Sequence, residues 1–420
     1  MYQKSVLPNG LRVLTANIPH ARSVSVTIFL GTGARFETKE LSGASHFVEH
    51  MLFKGTRKRP TAKEISQTIE GIGGVINAET GKEQTLYWAK VAGQHLDVPL
   101  DLLADMLLAS KFQKSAVEKE RAVIIEELGM IYDEPHEWVD ILFDETMWGD
   151  HPLGWDIAGT RDTVSSLTRG ALVDFQKLHY SPDAAVVSIA GNVDHEDVVH
   201  RVARFFKRWK AVAGRNGMAP PNGQSEPRLR LQFKETEQAH FVLGVRGLSY
   251  FDEDRYALRL LNGVLGEGMS SRLFLEIREK RGLAYDVHSF ISNYRDVGAV
   301  AVYAGVEPKR LLQAVEAIRD LLVGLKDGIP ENEINRSREF WKGRMLLALE
   351  DTRAIASWMG SQELSHGRVL SPEEVIAKID SLTAADLQRV AQRLFVPDGL
   401  TLAVLGPHKS EKGLVNLLAF

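Results

Sequence analysis

One segment of the chain occurs twice. SLTRGALVDFQKLHYSPDAAVVSIAGN, Ser166 to Asn192, aligns without a gap on SLTAADLQRVAQRLFVPDGLTLAVLGP, Ser381 to Pro407. The offset is constant, since Pro182 to Pro397 and Gly191 to Gly406 both span 215 residues. Each copy reads as a Thr-capped helix, a Pro-Asp turn and a buried strand. An in-register match closing two halves of nearly equal length marks a duplication. A chain of 420 residues is also too long for one ordinary core. It is therefore expected to build one sheet-and-helix unit twice.

The division falls in VAGRNGMAPPNGQSEPR, which is rich in Gly, Pro and Asn and has no periodicity. This predicts a domain over 1–212, a linker over 213–227 and a homologous domain over 228–420. Both halves keep one rhythm. Strand-like VSVTIFLGTGARF and HFVLGVRGLSYF open them, and GGVINAETGKEQTLYWAKV and GLAYDVHSFISNYRDVGAVAVYAGV each read as two strands. Helical LDVPLDLLADMLLA and KRLLQAVEAIRDLLVGL follow. The expected fold is α+β, two duplicated domains, each a mainly antiparallel or mixed sheet covered by helices on one face.

Composition removes several function classes. With 51 basic and 55 acidic residues the net charge is -4, which excludes a nucleic-acid binder. No window approaches the roughly 20 apolar residues of a membrane span, and the N-terminal stretch resembles neither a signal nor a transit peptide. A cytoplasmic location without membrane association is the expectation. There is no cysteine, so any metal must be held by histidine and carboxylate.

SGASHFVEHMLFKGT, Ser42 to Thr56, offers such residues. At about 100° per residue, Ala44, Phe47, Val48, Met51 and Leu52 form one apolar stripe, while His46, Glu49 and His50 share the opposite side. Ser42 is placed to cap the helix, and Gly55 with Pro60 to end it. Histidines four apart stack along a helix, so both imidazoles can reach one ion. HxxEH is the inverse of the zincin HExxH.

A zinc site needs a further protein ligand. In VEKERAVIIEELGMIYDEP, Val117 to Pro135, Glu120 and Glu127 lie seven apart on a line shared with Ile124 and Ile131. A carboxylate in an apolar stripe is costly unless a partner relieves it, which makes both acids candidates. Glu126 lies on another side and is the weaker one.

These residues resemble the pitrilysin/insulinase metallopeptidases, the inverzincins, and within them the short processing-peptidase-like members. The resemblance runs from LPNGLRVL through GTGARFE, HFVEHMLFKGT, GGVINAET, EKERAVIIEELGMIYDEP and HPLGWDIAGT to SSRLFLEIREKRGLAYDV. It implies one Zn²⁺ per chain held by His46, His50 and Glu127, which stands 77 residues after His50. It also implies Glu49 as catalytic base, with Glu120 as the accompanying acid. Ile76, Asn77 and Ala78 become the edge that pairs with extended substrate, and Arg278 and Tyr285 the pair that reaches substrate or oxyanion from the non-catalytic half.

The implied activity is zinc-dependent endopeptidase cleavage of extended peptides inside a closed chamber formed by a dimer of identical chains. A heterodimer is the variant. Acids between Glu118 and Glu145 would make such a chamber favour basic peptides. The alternative is a non-catalytic subunit, or one active only with a different chain. Because LGEGMSSRLF lacks a Gly-Lys-Ser/Thr ending, it does not point to nucleotide binding.

Overall fold

A computed structural model describes residues 2–212, 221 and 223–418; positions 213–220 and 222 of the expected linker lie outside the described residues. The first half runs β1 (Tyr2–Val6), β2 (Arg12–Asn17), β3 (Ser23–Leu30), α1 (Ala44–Leu52), α2 (Ala62–Glu70), β4 (Val75–Thr80), β5 (Thr85–Ala92), α3 (Asp97–Ala109), α4 (Lys114–Asp133), α5 (Pro135–Trp148), α6 (Arg161–Ser166), α7 (Arg169–His179), β6 (Ala185–Gly191) and α8 (His195–Phe206). The second half runs β7 (Arg228–Phe233), β8 (Ala239–Gly247), α9 (Arg255–Gly266), a π-helical stretch (Phe274–Lys280), β9 (Ala284–Asn293), β10 (Gly298–Val306), α10 (Leu311–Gly324), α11 (Glu331–Ala348), α12 (Thr352–His366), α13 (Pro372–Asp380), α14 (Ala384–Leu394), β11 (Thr401–Gly406) and α15 (Leu414–Leu417).

The duplication is visible in the strand orders. The first sheet is β1-β2-β6-β3-β5-β4 and the second β7-β11-β8-β10-β9. Without β1, the two orders are the same by position. Each sheet is antiparallel except for one parallel pair, β2 with β6 and β7 with β11. The repeated segments are α7–β6 and α14–β11. Their helices are capped by Thr168 and Thr383, and Pro182 and Pro397 open the turn before the strand. β6 is buried at every residue because it lies between β2 and β3 with both faces covered. β4 alternates exposed and half-buried positions, as an edge strand must.

One face of the first sheet, with Val13, Val26, Ile28, Tyr87, Val187 and Ile189, packs on the apolar stripes of α1, α3, α7 and α8. This is the expected layer. The opposite face carries one further helix, which the sequence pattern did not announce. Leu14, Phe29, Trp88 and Val186 pack against Ala356 and Met359 of α12. The corresponding face of the second sheet, with Val242, Ala301, Tyr303 and Leu405, is covered by Val139, Leu142, Phe143 and Met147 of α5.

The compact bodies therefore depart from a division at the linker in two stretches. Gly129–Gly154, which carries α5, belongs with the second body, and Leu347–Ser371, which carries α12, with the first. The physical reason is the bare apolar face of each sheet. Full burial of one large aliphatic side chain stabilises by about 1.5–3 kcal/mol, so an uncovered face would forfeit several such terms.

Polar contacts fix α12 in register on the first sheet. The Arg353 guanidinium lies 3.8 Å over the Trp88 ring, Lys90 pairs with Asp351 at 2.5 Å, and Lys4 with Glu363 at 2.7 Å. Gly360 lies against Phe29, where an added Cβ would stand 2.2 Å from the ring. Gly360→Ala is expected to destabilise the protein by about 1–3 kcal/mol through overpacking. This runs against the roughly 1 kcal/mol that Ala normally gains over Gly inside a helix. Urea unfolding that returns equal or higher stability would contradict this packing.

Candidate metal centre

α1 presents the expected two faces. Ala44, Phe47, Val48, Met51 and Leu52 are buried in the first core, which turns His46, Glu49 and His50 away from it. The start of the helix differs from expectation. Its cap is Gly43, at φ 94°, and no side chain of the cap residue accepts a helix N–H, so Ser42 does not serve. Glu37 does so instead. The Gly43 N–H donates to its Oε2 at 2.8 Å and the Ser45 N–H to its Oε1 at 2.6 Å. The carboxyl is fully enclosed, and burial pushes its pKa up to about 8 although both bonds hold it down.

The two imidazoles converge. Their ring centroids are 4.4 Å apart and their Nε2 atoms 3.1 Å apart. Nδ1 of His50 stands 2.9 Å from Glu120 Oε1. With Nδ1–H donating there, Nε2 is left with its lone pair. Glu120 is buried, and Lys54 Nζ reaches its other oxygen at 2.7 Å. Burial works to raise the Glu120 pKa, but the bonds from His50 and Lys54 outweigh it, so the group is held below its usual value. Burial pushes His46 down to about 4, which keeps it a neutral imidazole at neutral pH.

Glu127 completes a triangle. Its Oε2 lies 3.7 Å from His50 Nε2, is buried, and makes no hydrogen bond. Among the described residues, His46, His50 and Glu127 are the one group of three such donors whose ligand atoms all lie within 4.8 Å of one another. Two nitrogens bound to zinc at the usual 2.0–2.1 Å with tetrahedral angles stand roughly 3.3 Å apart. The spacings above and the orphaned carboxylate oxygen fit that group. Of the two stripe acids, Glu120 is thus satisfied by protein donors and Glu127 is open to a ligand, while Glu126 is exposed.

Glu49, on the same helix, is mostly enclosed, and burial raises its pKa. Thr80, at the end of β4, donates to its Oε2. Ile76, Asn77 and Ala78 lie on β4, the last strand of the sheet order, whose one neighbour is β5. The Asn77 side chain accepts from the Ala78 N–H at 2.8 Å. Gly74 allows β4 to close on α2 and β5, because a Cβ there would meet Val91 at 2.7 Å. In the second body, the Arg278 guanidinium lies 4.3 Å over the Tyr285 ring, and Tyr285 is 75% exposed on the edge strand β9.

Glu37, Lys54 and Thr80 escaped the reading of the sequence. Glu37 stands six residues before Gly43, outside any local capping pattern, and the other two act through contacts remote in sequence. The fold is a duplicated sheet-and-helix unit, and the donor set beside α1 is that of a candidate metal centre.

Comparison with known proteins agrees. A family model described as insulinase (peptidase family M16) matches residues 12–161, and one described as peptidase M16 inactive domain matches 166–340. An uncharacterized zinc protease of Streptomyces coelicolor is 41% identical over 98% of this chain and 90% of its own. One of Bacillus subtilis is 39% identical over 97% and 98%. The crystal structure of a protease from Helicobacter pylori aligns with a TM-score of 0.92 at 25% identity, covering 97% of this chain and 99% of that one. The chain belongs to the insulinase family, peptidase family M16. No helix among the described residues is long and apolar enough to cross a membrane.

Two outcomes follow from this geometry. Glu120→Ala is expected to weaken zinc binding roughly 10–100-fold, the usual effect of losing a partner that orients a ligating histidine. Unchanged affinity in a chelator competition would contradict that role. For Glu37, the folded-state pKa of about 8 lies above the usual 4.5, so the folded chain holds this proton more tightly. Its contribution to stability is full at low pH and is lost as pH rises toward the folded value. Glu37→Gln has no such proton and should flatten the fall in stability between about pH 5 and 8, whatever its absolute stability. Parallel wild-type and variant slopes in urea unfolding of the metal-free protein would refute it.

Proposed function

We propose that this chain is a zinc endopeptidase acting on extended peptides, with one zinc per chain held by His46, His50 and Glu127. The observation that carries the reading is the convergence of those three donors, with Glu49 on the same helix. Zinc bound there would lower the pKa of a water and polarise the scissile carbonyl.

The remaining work falls to side chains. Glu49 takes the proton from the attacking water and passes it to the leaving amine, a task that suits a carboxylate whose pKa burial has raised. Glu120 holds His50 in the tautomer that leaves Nε2 free. An extended substrate adds as a strand along β4, with its backbone at Ile76, Asn77 and Ala78. Arg278 and Tyr285 are assigned to the substrate carbonyls, Tyr285 as an oxyanion donor. Chemistry stays in the first half, since α9, at the matching place in the second, carries no histidine.

The active species is proposed as a dimer of identical chains around a closed chamber. Light scattering of the active protein that returns the mass of one chain would remove the dimer. The main experiment pairs zinc content with cleavage of a quenched-fluorescent peptide mixture for wild type and Glu49→Gln. Zinc near one per chain in both, with cleavage lost at least about 100-fold in the variant, is the expected result. Zinc without cleavage by wild type until a second, different chain is added would replace this reading with that of a dependent subunit. Absence of zinc from both would end it.

A further inference from the structure

Glu49 is a flexible three-torsion side chain, and a general base acts well only when its oxygen is held in reach of the proton. Its Oε2 accepts the hydroxyl of Thr80, 31 residues away on β4. Thr80 itself stands on a fixed support. Its backbone pairs with Thr85 across the β4–β5 hairpin, and the Gly81 N–H donates to Gln84 O at 2.8 Å.

That turn is tied to the segment leading into α1. The Ala34 N–H donates to Gly81 O at 3.1 Å and the Arg35 N–H to Lys82 O at 2.7 Å. The Arg35 guanidinium pairs with Glu83 at 2.5 Å, and the Thr85 hydroxyl donates to Thr32 O at 3.0 Å. Gly33 allows the approach, because a Cβ there would lie 2.2 Å from Gly81 O. The turn that follows Thr80 is thus held by contacts in which Glu49 takes no part.

Resting on the peptidase reading above, we propose that Thr80 is the positioning residue of the base: it anchors Oε2 of Glu49, so that Oε1 is the oxygen that receives and returns the proton. Thr80 also ends the strand assigned to substrate pairing, two residues beyond Ala78. One strand then sets both the register of the peptide and the direction of the base.

The test compares wild type, Thr80→Val, which keeps the shape without the hydroxyl, and Thr80→Ser, which keeps the hydroxyl. Thr80→Val is expected to lose kcat roughly 10–100-fold, the scale typical of removing an outer hydrogen-bond partner. KM and zinc content should stay near wild type, and Thr80→Ser should restore most of kcat. Wild-type kcat in Thr80→Val would overturn the assignment, as would a loss confined to KM.

A second readout needs neither metal nor turnover. The Glu49 carboxylate band, identified in the metal-free protein by its loss in Glu49→Gln, should shift in infrared spectra of Thr80→Val and not of Thr80→Ser. An unshifted band overturns the proposal even if a variant is poorly active for other reasons. A wild type that cleaves nothing counts against the peptidase reading alone, whereas a cleaving wild type matched by Thr80→Val counts against Thr80 alone.

Discussion

Everything at the site depends on the apolar stripe of α1. Phe47, Val48, Met51 and Leu52 are at most 1% exposed and lock one side of a nine-residue helix into the first core. A helix this short has little stability of its own and takes its rigidity from such packing. Only because that side cannot turn do two imidazoles on the other side meet at one point. Glu37 supplies the end constraint by satisfying the first N–H groups of the helix, where Gly43 has no side chain to do so.

Four carboxylates surround this helix, and their environments separate them. Glu37 is enclosed and spends both oxygens on backbone amides. Glu120 is buried yet ion-paired, so it holds His50 rather than binding a ligand. Glu127 has a buried oxygen without a donor, which suits a cation. Glu49 is desolvated and tethered by one hydroxyl, which suits a proton carrier. One residue type thus meets four environments, set apart by burial and partners.

The two bodies show how a duplicated unit can specialise without changing its frame. Both keep the same strand order and both need a helix on the second face of the sheet, which α12 and α5 provide. What differs is the helix that follows β3 in the first body and β8 in the second. α1 carries His46, Glu49 and His50, while α9 carries a largely apolar buried face and no histidine.

Read alone, the sequence determined the features that repeat locally or at a constant offset. These are the duplication, seen in Ser166–Asn192 against Ser381–Pro407, the two-faced pattern of α1, and the placement of Glu120 and Glu127 on one line of α4. The last two follow from helix period, which neighbouring residues express by themselves, and the first from a constant offset. Family resemblance implied Glu127 rather than Glu120 as the ligand; in the structure Lys54 and His50 occupy Glu120, and a buried oxygen of Glu127 has no donor. Tertiary structure alone decided that α5 and α12 cross to the other body, that Glu37 caps α1 in place of Ser42, and that Thr80 reaches Glu49. Those contacts join residues far apart in sequence, or too irregularly spaced for any local period to record, and they form only once the sheets have closed on their helices.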